Sequence, residues 1–183
     1  MLIIDFKNFP EINTENLLLR EVTVNDAEDL FLIRSNEKAM QYIDRPIAKS
    51  TNDALDLINI ILNCYKNNEA ITWAICLKNS PKLIGTIGFW KIDKQNFRAE
   101  IGYILHPDYH RNGIMQEAIQ AVIKFGFTKI NLHSIEANVN PRNEASKNLL
   151  LKNGFVQEAY FKENYYYEGK FLDSVIFSLV NKN

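Results

Sequence analysis

The chain has 183 residues, with 21 Lys and Arg against 22 Asp and Glu, a formal net charge of −1, and 46% hydrophobic and 23% charged residues. This is the balance of an ordinary folded domain. It excludes a disordered or collagen-like chain, and it lacks the clustered excess of Lys and Arg that holds a phosphate backbone, so no nucleic-acid partner is expected. No apolar run approaches the roughly 20 residues that cross a bilayer, and the charged N-terminal stretch has no signal-peptide layout, so no membrane partner is expected either. Cys64 and Cys76 give no disulfide framework, which points to a reducing cytoplasm.

No repeat or long linker breaks the chain, and it reads as one domain over residues 1–183 with a core of about 14–180. Leu17 to Val22 predicts a first strand, and Asn25-Asp26 a cap for a helix ending near Ser35. A second helical piece covers Glu37 to Ile43 and stops at Pro46. Ser50 to Asp53 has the form of a capping box, before a helix striped with Leu55, Ile58, Ile61, Leu62 and Tyr65. The period then shortens: Ile71 to Leu77, Leu83 to Ile92 and Arg98 to Leu105 read as strands joined by short turns, an antiparallel meander.

After His106-Pro107 the helical period returns, with Ile114, Ala118, Val122 and Phe125 on one face of a helix running to about Ile130. Ser134 to Val139 is a strand, and Asn143 to Asn153 a short helix closed by Gly154. Phe155 to Phe161 and Leu172 to Val180 read as a last strand pair, connected around Glu168-Gly169-Lys170. The order predicts an α/β domain with a mixed sheet, in which the unit from Glu100 to Val139 crosses over right-handed and pairs in parallel.

The stretch from Glu100 to Ala118 carries the chemistry: a strand, a tight polar turn with Gly113, then a helix. Such a turn leaves backbone N–H groups at the helix start without intrahelical partners, and with the helix dipole they favour a phosphate or pyrophosphate. His110 and Arg111 are placed to add donor or cationic contacts. The bland alternative is a tight connection whose glycine only completes a turn. The run is neither a P-loop nor the GxGxxG fingerprint. Glu100, a charge on a central strand, is a candidate general base or else the partner of Arg98. Asn143 and Ser146 read as an N-cap and an exposed polar residue of the short helix. His106 and His110 have a metal-ligand spacing that Pro107 breaks, so no metal is expected.

With Asn143-Glu144-Ala145-Ser146 and Lys152-Asn153-Gly154-Phe155 behind it, the run Glu100 to Ala118 resembles the GNAT superfamily of N-acetyltransferases. The Leu17-Leu18-Leu19-Arg20 strand and the Gly-x-Met-x-Glu-Ala helix start are more closely similar to the branch of the bacterial ribosomal-protein N-terminal acetyltransferases, RimJ/RimL-like. The resemblance implies a mixed, mostly antiparallel sheet of about seven strands flanked by helices. It implies acetyl-CoA as co-substrate and an amine acceptor, a protein or peptide N-terminus before a polyamine, amino acid or aminoglycoside, in a monomer or homodimer.

The family's Gln/Arg-x-x-Gly-x-Gly/Ala pattern falls on His110, Arg111, Asn112, Gly113, Ile114 and Met115, with His110 and Met115 departing from it. What the resemblance implies is that the amides of these six residues hold the pyrophosphate of coenzyme A. Ile104, Leu105 and His106 pair with the pantetheine arm where the adjoining parallel strands splay, Asn143 helps hold that arm, and Ser146 sits near the sulfur. The tyrosine that many members use as general acid is Leu150 here, which leaves Ser146 or a water for that role. Phe161, Tyr165, Tyr166 and Tyr167 lie near the hairpin that borders the acceptor cleft in the family. The alternative from another class is a non-catalytic acyl-CoA sensor, which a degenerate site at Leu150 would suit.

Overall fold

A computed structural model describes residues 1–6 and 8–182; Lys7 of the charged N-terminal stretch and Asn183 lie outside the described residues. Eight strands form one sheet: β1 (Ile12–Asn13), β2 (Leu17–Glu21), β3 (Ile71–Leu77), β4 (Gly85–Asp93), β5 (Arg98–Leu105), β6 (Ser134–Val139), β7 (Val156–Tyr167) and β8 (Lys170–Val180). Their spatial order is β1-β2-β3-β4-β5-β6-β8-β7. Every neighbouring pair is antiparallel except β5 and β6, which the crossover helix makes parallel as expected. The strand beyond the expected seven is the short β1, which pairs with Leu18 and Leu19.

Among the described residues five α-helices cover the sheet: α1 (Ala27–Arg34), α2 (Glu37–Met40), α3 (Thr51–Lys66), α4 (Ile114–Phe125) and α5 (Glu144–Lys152). The N-cap of α1 is Asp26, within the expected Asn25-Asp26, but its side chain makes no capping bond to α1. A 3₁₀ turn at Val24–Asp26 precedes it, and the reciprocal cap is made between Thr23 and Asp26. Asp26 is also gripped by the Arg20 guanidinium at 2.6 and 2.9 Å, which ties the turn to β2. The Ser50–Asp53 capping box forms as read. Past Phe125 the helical path continues to Ile130 as a wider π-type turn, closed by Asn131 in the left-handed region.

The two sheet faces bury separate cores. Trp73, Phe89, Ile101, Ala118, Val122, Leu150 and Phe177 pack on the face covered by α4 and α5, while Leu30, Ile33, Ile58, Ala74 and Ile104 pack beneath α1 and α3. The close approach of β3 and β4 depends on Gly88, where a Cβ would come 2.1 Å from the Ile71 carbonyl oxygen and 2.6 Å from the Thr72 Cα. Backbone cannot yield as a side chain can, so Gly88→Ala is expected to destabilise the fold by about 1–3 kcal/mol, read as a lowered Tm in thermal melts. An unchanged Tm would show that the strands part there without cost.

The last hairpin is longer than the expected Phe155–Phe161 and Leu172–Val180. Tyr165, Tyr166 and Tyr167 pair with Leu172, Phe171 and Lys170, and the turn is Glu168-Gly169, both at positive φ. A register shift between Phe161 and Tyr165 disrupts the two-residue alternation across Lys162-Glu163-Asn164, which is why the strand does not read through in the sequence.

Candidate active site

The parallel ladder between β5 and β6 is short. It pairs Arg98, Ala99 and Glu100 with Ser134, Ile135 and Glu136 and then stops, although β5 runs on to Leu105 and β6 to Val139. The two strands therefore part beyond Glu100. Which amides face the gap follows from the β4 side. His106 N–H bonds to the Ile84 carbonyl, so the two-residue alternation of an antiparallel ladder turns Ile104 and Gly102 toward β4 as well. The Ile101 N–H closes the last rung of the ladder on Glu136, and the amides of Tyr103 and Leu105 are left on the open edge. Of the expected trio Ile104, Leu105 and His106, only Leu105 turns its own N–H into the gap.

Beyond β5 the chain makes a 3₁₀ turn, Pro107–Tyr109, and then enters α4 through two left-handed residues, Arg111 at φ 64° and Gly113 at φ 77°. His110 stands apart from the rest of this turn. Its N–H bonds to the Pro107 carbonyl, and its imidazole Nε2 lies 3.0 Å from the Leu105 carbonyl oxygen. Intrahelical bonding begins only at Glu117, whose N–H reaches Gly113. Among the described residues the amides of Arg111, Asn112, Gly113, Ile114, Met115 and Gln116 have no hydrogen-bond acceptor. Nothing lies within 4 Å of where a Gly113 Cβ would be, so the glycine is demanded by its φ and the space in front of it is open. The result is a cradle of free N–H donors at the positive end of a helix.

Glu100 sits at the point where β5 and β6 part, on the α1–α3 face of the sheet, beside Trp90. Burial and then the neighbouring Glu136 carboxylate push its pKa up, against a hydrogen bond from the Trp90 side chain. Arg98, the suggested ion-pair partner, instead lies 3.4 Å from Glu136. Glu100 thus keeps a half-buried carboxyl without a salt bridge among the described residues.

On the opposite face, Ser146 is half-buried rather than exposed, and its Oγ lies 2.7 Å from the Tyr103 hydroxyl. Burial pushes the Tyr103 phenol up to about 12. Asn143 is the N-cap of α5, its Oδ1 accepting from the Ser146 N–H at 3.1 Å. Leu150 is fully buried one turn further on. At the front of the Glu100 face the β7–β8 hairpin reaches back to the loop after α2, where the Tyr165 hydroxyl bonds to Asp44. No group of three or more His, Cys, Asp or Glu side chains able to hold a metal is found among the described residues, and no helix is long and apolar enough to cross a membrane.

An acetyltransferase (GNAT) domain family matches residues 16–156. This chain belongs to the GNAT acetyltransferases. It is 37% identical over 172 residues to an uncharacterized N-acetyltransferase, YoaA, of Bacillus subtilis strain 168, covering 94% of this chain and 97% of the relative. Among solved structures it is similar to the ribosomal-protein-S5-alanine acetyltransferase of Vibrio fischeri, at a TM-score of 0.81 and 26% identity over 95% of this chain and 98% of the other. The fold is also that of the microcin C7 self-immunity acetyltransferase MccE, solved with acetyl-CoA and AMP, at a TM-score of 0.83 and 24% identity over 92% and 94% of the two chains.

The GNAT chain is an N-acetyltransferase acting on an amine, and its family takes the acetyl group from acetyl-CoA. The geometry fits that co-substrate: six unpartnered amides with open space before them suit a diphosphate, and the parted strands beside them offer strand-like partners for an amide-bearing arm. Tyr103 escapes sequence reasoning, because an aromatic on a strand reads as packing and only the register against β4 shows which β5 residues border the gap. Gln116 escapes it too, lying just past the family pattern.

Proposed function

We propose that this GNAT enzyme acetylates the N-terminal amine of a protein or peptide, of the ribosomal-protein type, by direct attack of the amine on acetyl-CoA in the cytoplasm. The observation that carries the reading is the amide cradle of residues 111–116 opening onto the gap between β5 and β6. In this reading the cradle holds the pyrophosphate, with Arg111 at its rim. The pantetheine arm lies along the β5 edge and takes a donor from the Asn143 side-chain amide. Acetyl-CoA, when bound, supplies the thioester.

Glu100 accepts the proton that the ammonium must lose, directly or through water. The Leu105 N–H faces the carbonyl oxygen as it gains charge. Ser146 meets the departing sulfur from the other face of the sheet. Leu150 has no hydrogen-bond donor to offer the sulfur, so that contact falls to Ser146. The peptide acceptor is supported by the likeness to the Vibrio fischeri enzyme, whose stated substrate is a ribosomal protein.

Mass spectrometry of cellular protein N-termini, with and without the gene, tests the acceptor. At least one N-terminus is expected to lose its acetyl group when the gene is absent. Unchanged N-terminal acetylation, together with thiol release from acetyl-CoA only in the presence of polyamines, amino acids or aminoglycosides, would move the acceptor to a small amine. Acetyl-CoA binding without turnover on any amine would instead favour the sensor.

A further inference from the structure

Tyr103 is an ionisable side chain for which the transfer as described has no use, and its hydroxyl has one hydrogen-bond partner among the described residues, Ser146. At 2.7 Å one of the two hydroxyls donates to the other, and the surroundings decide which. The phenol lies between β5 and α5, where burial holds its pKa near 12, so it keeps its proton at neutral pH. If Ser146 donated, the phenolic O–H would be left without an acceptor in that interface, which is costly. Ser146 is only half-buried, so its hydroxyl can donate outside that interface. Tyr103 therefore donates and Ser146 accepts.

That direction controls where the serine proton points. In the first turn of α5 the carbonyl within the helix to which a serine could donate back is that of the N-cap, Asn143, three residues earlier. Ser146 Oγ makes no such bond; Tyr103 is its partner. With one lone pair occupied from the β5 side, the serine O–H swings away from Tyr103 and out of the helix.

We propose that Tyr103 is a positioning residue: by donating to Ser146 Oγ it aims the Ser146 O–H at the sulfur of coenzyme A, so that the departing thiolate is stabilised by a hydrogen bond. This rests on the proposed function. In the step itself the carbon–sulfur bond breaks and its electron pair leaves on sulfur. The proton lost by the amine passes to Glu100 and on to water. None crosses from Ser146, because both a serine hydroxyl and a phenol near 12 are weaker acids than a thiol near 8.5. A fixed hydrogen bond is sufficient for a leaving group that is a much stronger acid than either hydroxyl. Tyr103 on β5 and Ser146 in the first turn of α5 thus together meet the need that Leu150, further along the same helix, cannot.

The test needs no acceptor. Coenzyme A bound to the enzyme is titrated and its thiolate absorbance followed, in the wild type, Tyr103→Phe, Ser146→Ala and the double variant. A hydrogen bond to the charged form is expected to lower the pKa of the bound thiol by about one unit from its solution value. Tyr103→Phe and Ser146→Ala should each return it most of the way, and the double variant should move it no further. A Tyr103 that only filled space would lower Tm on replacement and leave the thiol where it was. The proposal is overturned if Tyr103→Phe titrates like the wild type, if either variant shifts the thiol without the other, or if the two shifts add. Failure of the wild type to bind coenzyme A at all would sink the proposed function instead, so the two failures are distinguishable. Should Tyr103→Phe not fold, Ser146→Ala still decides: a bound thiol that stays at the wild-type value removes the hydrogen bond that Tyr103 is proposed to aim.

Discussion

Glu100→Gln is expected to lower kcat by about 10²–10⁴-fold while acetyl-CoA binds as before. Gln keeps the volume and the hydrogen-bonding oxygen of Glu and removes only the capacity to take a proton. Because burial and Glu136 raise the Glu100 pKa, its carboxylate forms above the usual range, and kcat/KM should rise with pH as first Glu100 and then the acceptor amine lose their protons. In the Gln variant the Glu100 limb disappears and only the amine limb remains. Turnover at the wild-type rate across about pH 6 to 9 would assign the base to another group or to bulk water, leaving the family membership untouched.

The same substitution has a second consequence, of opposite sign. A carboxyl whose pKa is raised on folding stabilises the fold in its protonated form. That contribution is fully present below the unfolded pKa and is lost as the pH rises through the folded one. At neutral pH the ionised Glu100 is therefore a cost to the fold. Glu100→Gln should melt higher than the wild type at pH 7, and the gap should close in acid. A carboxylate that weakens the structure it sits in, at the point where two strands part, fits a base better than a structural ion pair. A lower Tm for the Gln variant at pH 7 would return Glu100 to the structural role.

The parts legible in the sequence are those set by local rules. Gly113 between a strand and a helix, the Ser50–Asp53 box, and a charge within the Ala99-Glu100-Ile101 strand all carry their meaning within a few residues. What was not legible depends on pairing across the sheet. The register of β5 on β4 turns Tyr103 and Leu105 to the gap and Ile104 away, and no pattern inside Gly102-Tyr103-Ile104-Leu105 distinguishes them. His110 falls on the first position of the family pattern, from whose Gln/Arg it departs, and its amide and imidazole are both committed, to Pro107 and Leu105, through a turn whose path depends on the left-handed Arg111. Asp26 takes the N-cap place expected at Asn25-Asp26, yet its carboxylate serves the Thr23 box and Arg20 on β2 rather than α1, a pairing that no local pattern shows.

Gly113→Asp is expected to weaken acetyl-CoA binding by about 100-fold or more, with the fold retained. No atom lies within 4 Å of the new Cβ, so the free protein accommodates the side chain. The φ of 77° disfavours most residues but is tolerated by Asp better than by Ala. A carboxylate at the start of α4 also complements the helix dipole, so Tm should fall little or not at all. For the ligand the same carboxylate is repulsive, because it stands before the free amides of residues 111–116, where the proposed diphosphate would lie. Gly113→Ala separates the two effects. It carries the strain without the charge, and should lose more Tm and less affinity than the Asp variant. Calorimetric titration of acetyl-CoA into both variants, with thermal melts alongside, gives the comparison. If Gly113→Asp binds acetyl-CoA as the wild type does, the diphosphate does not lie on this turn, and the cradle belongs to some other anion.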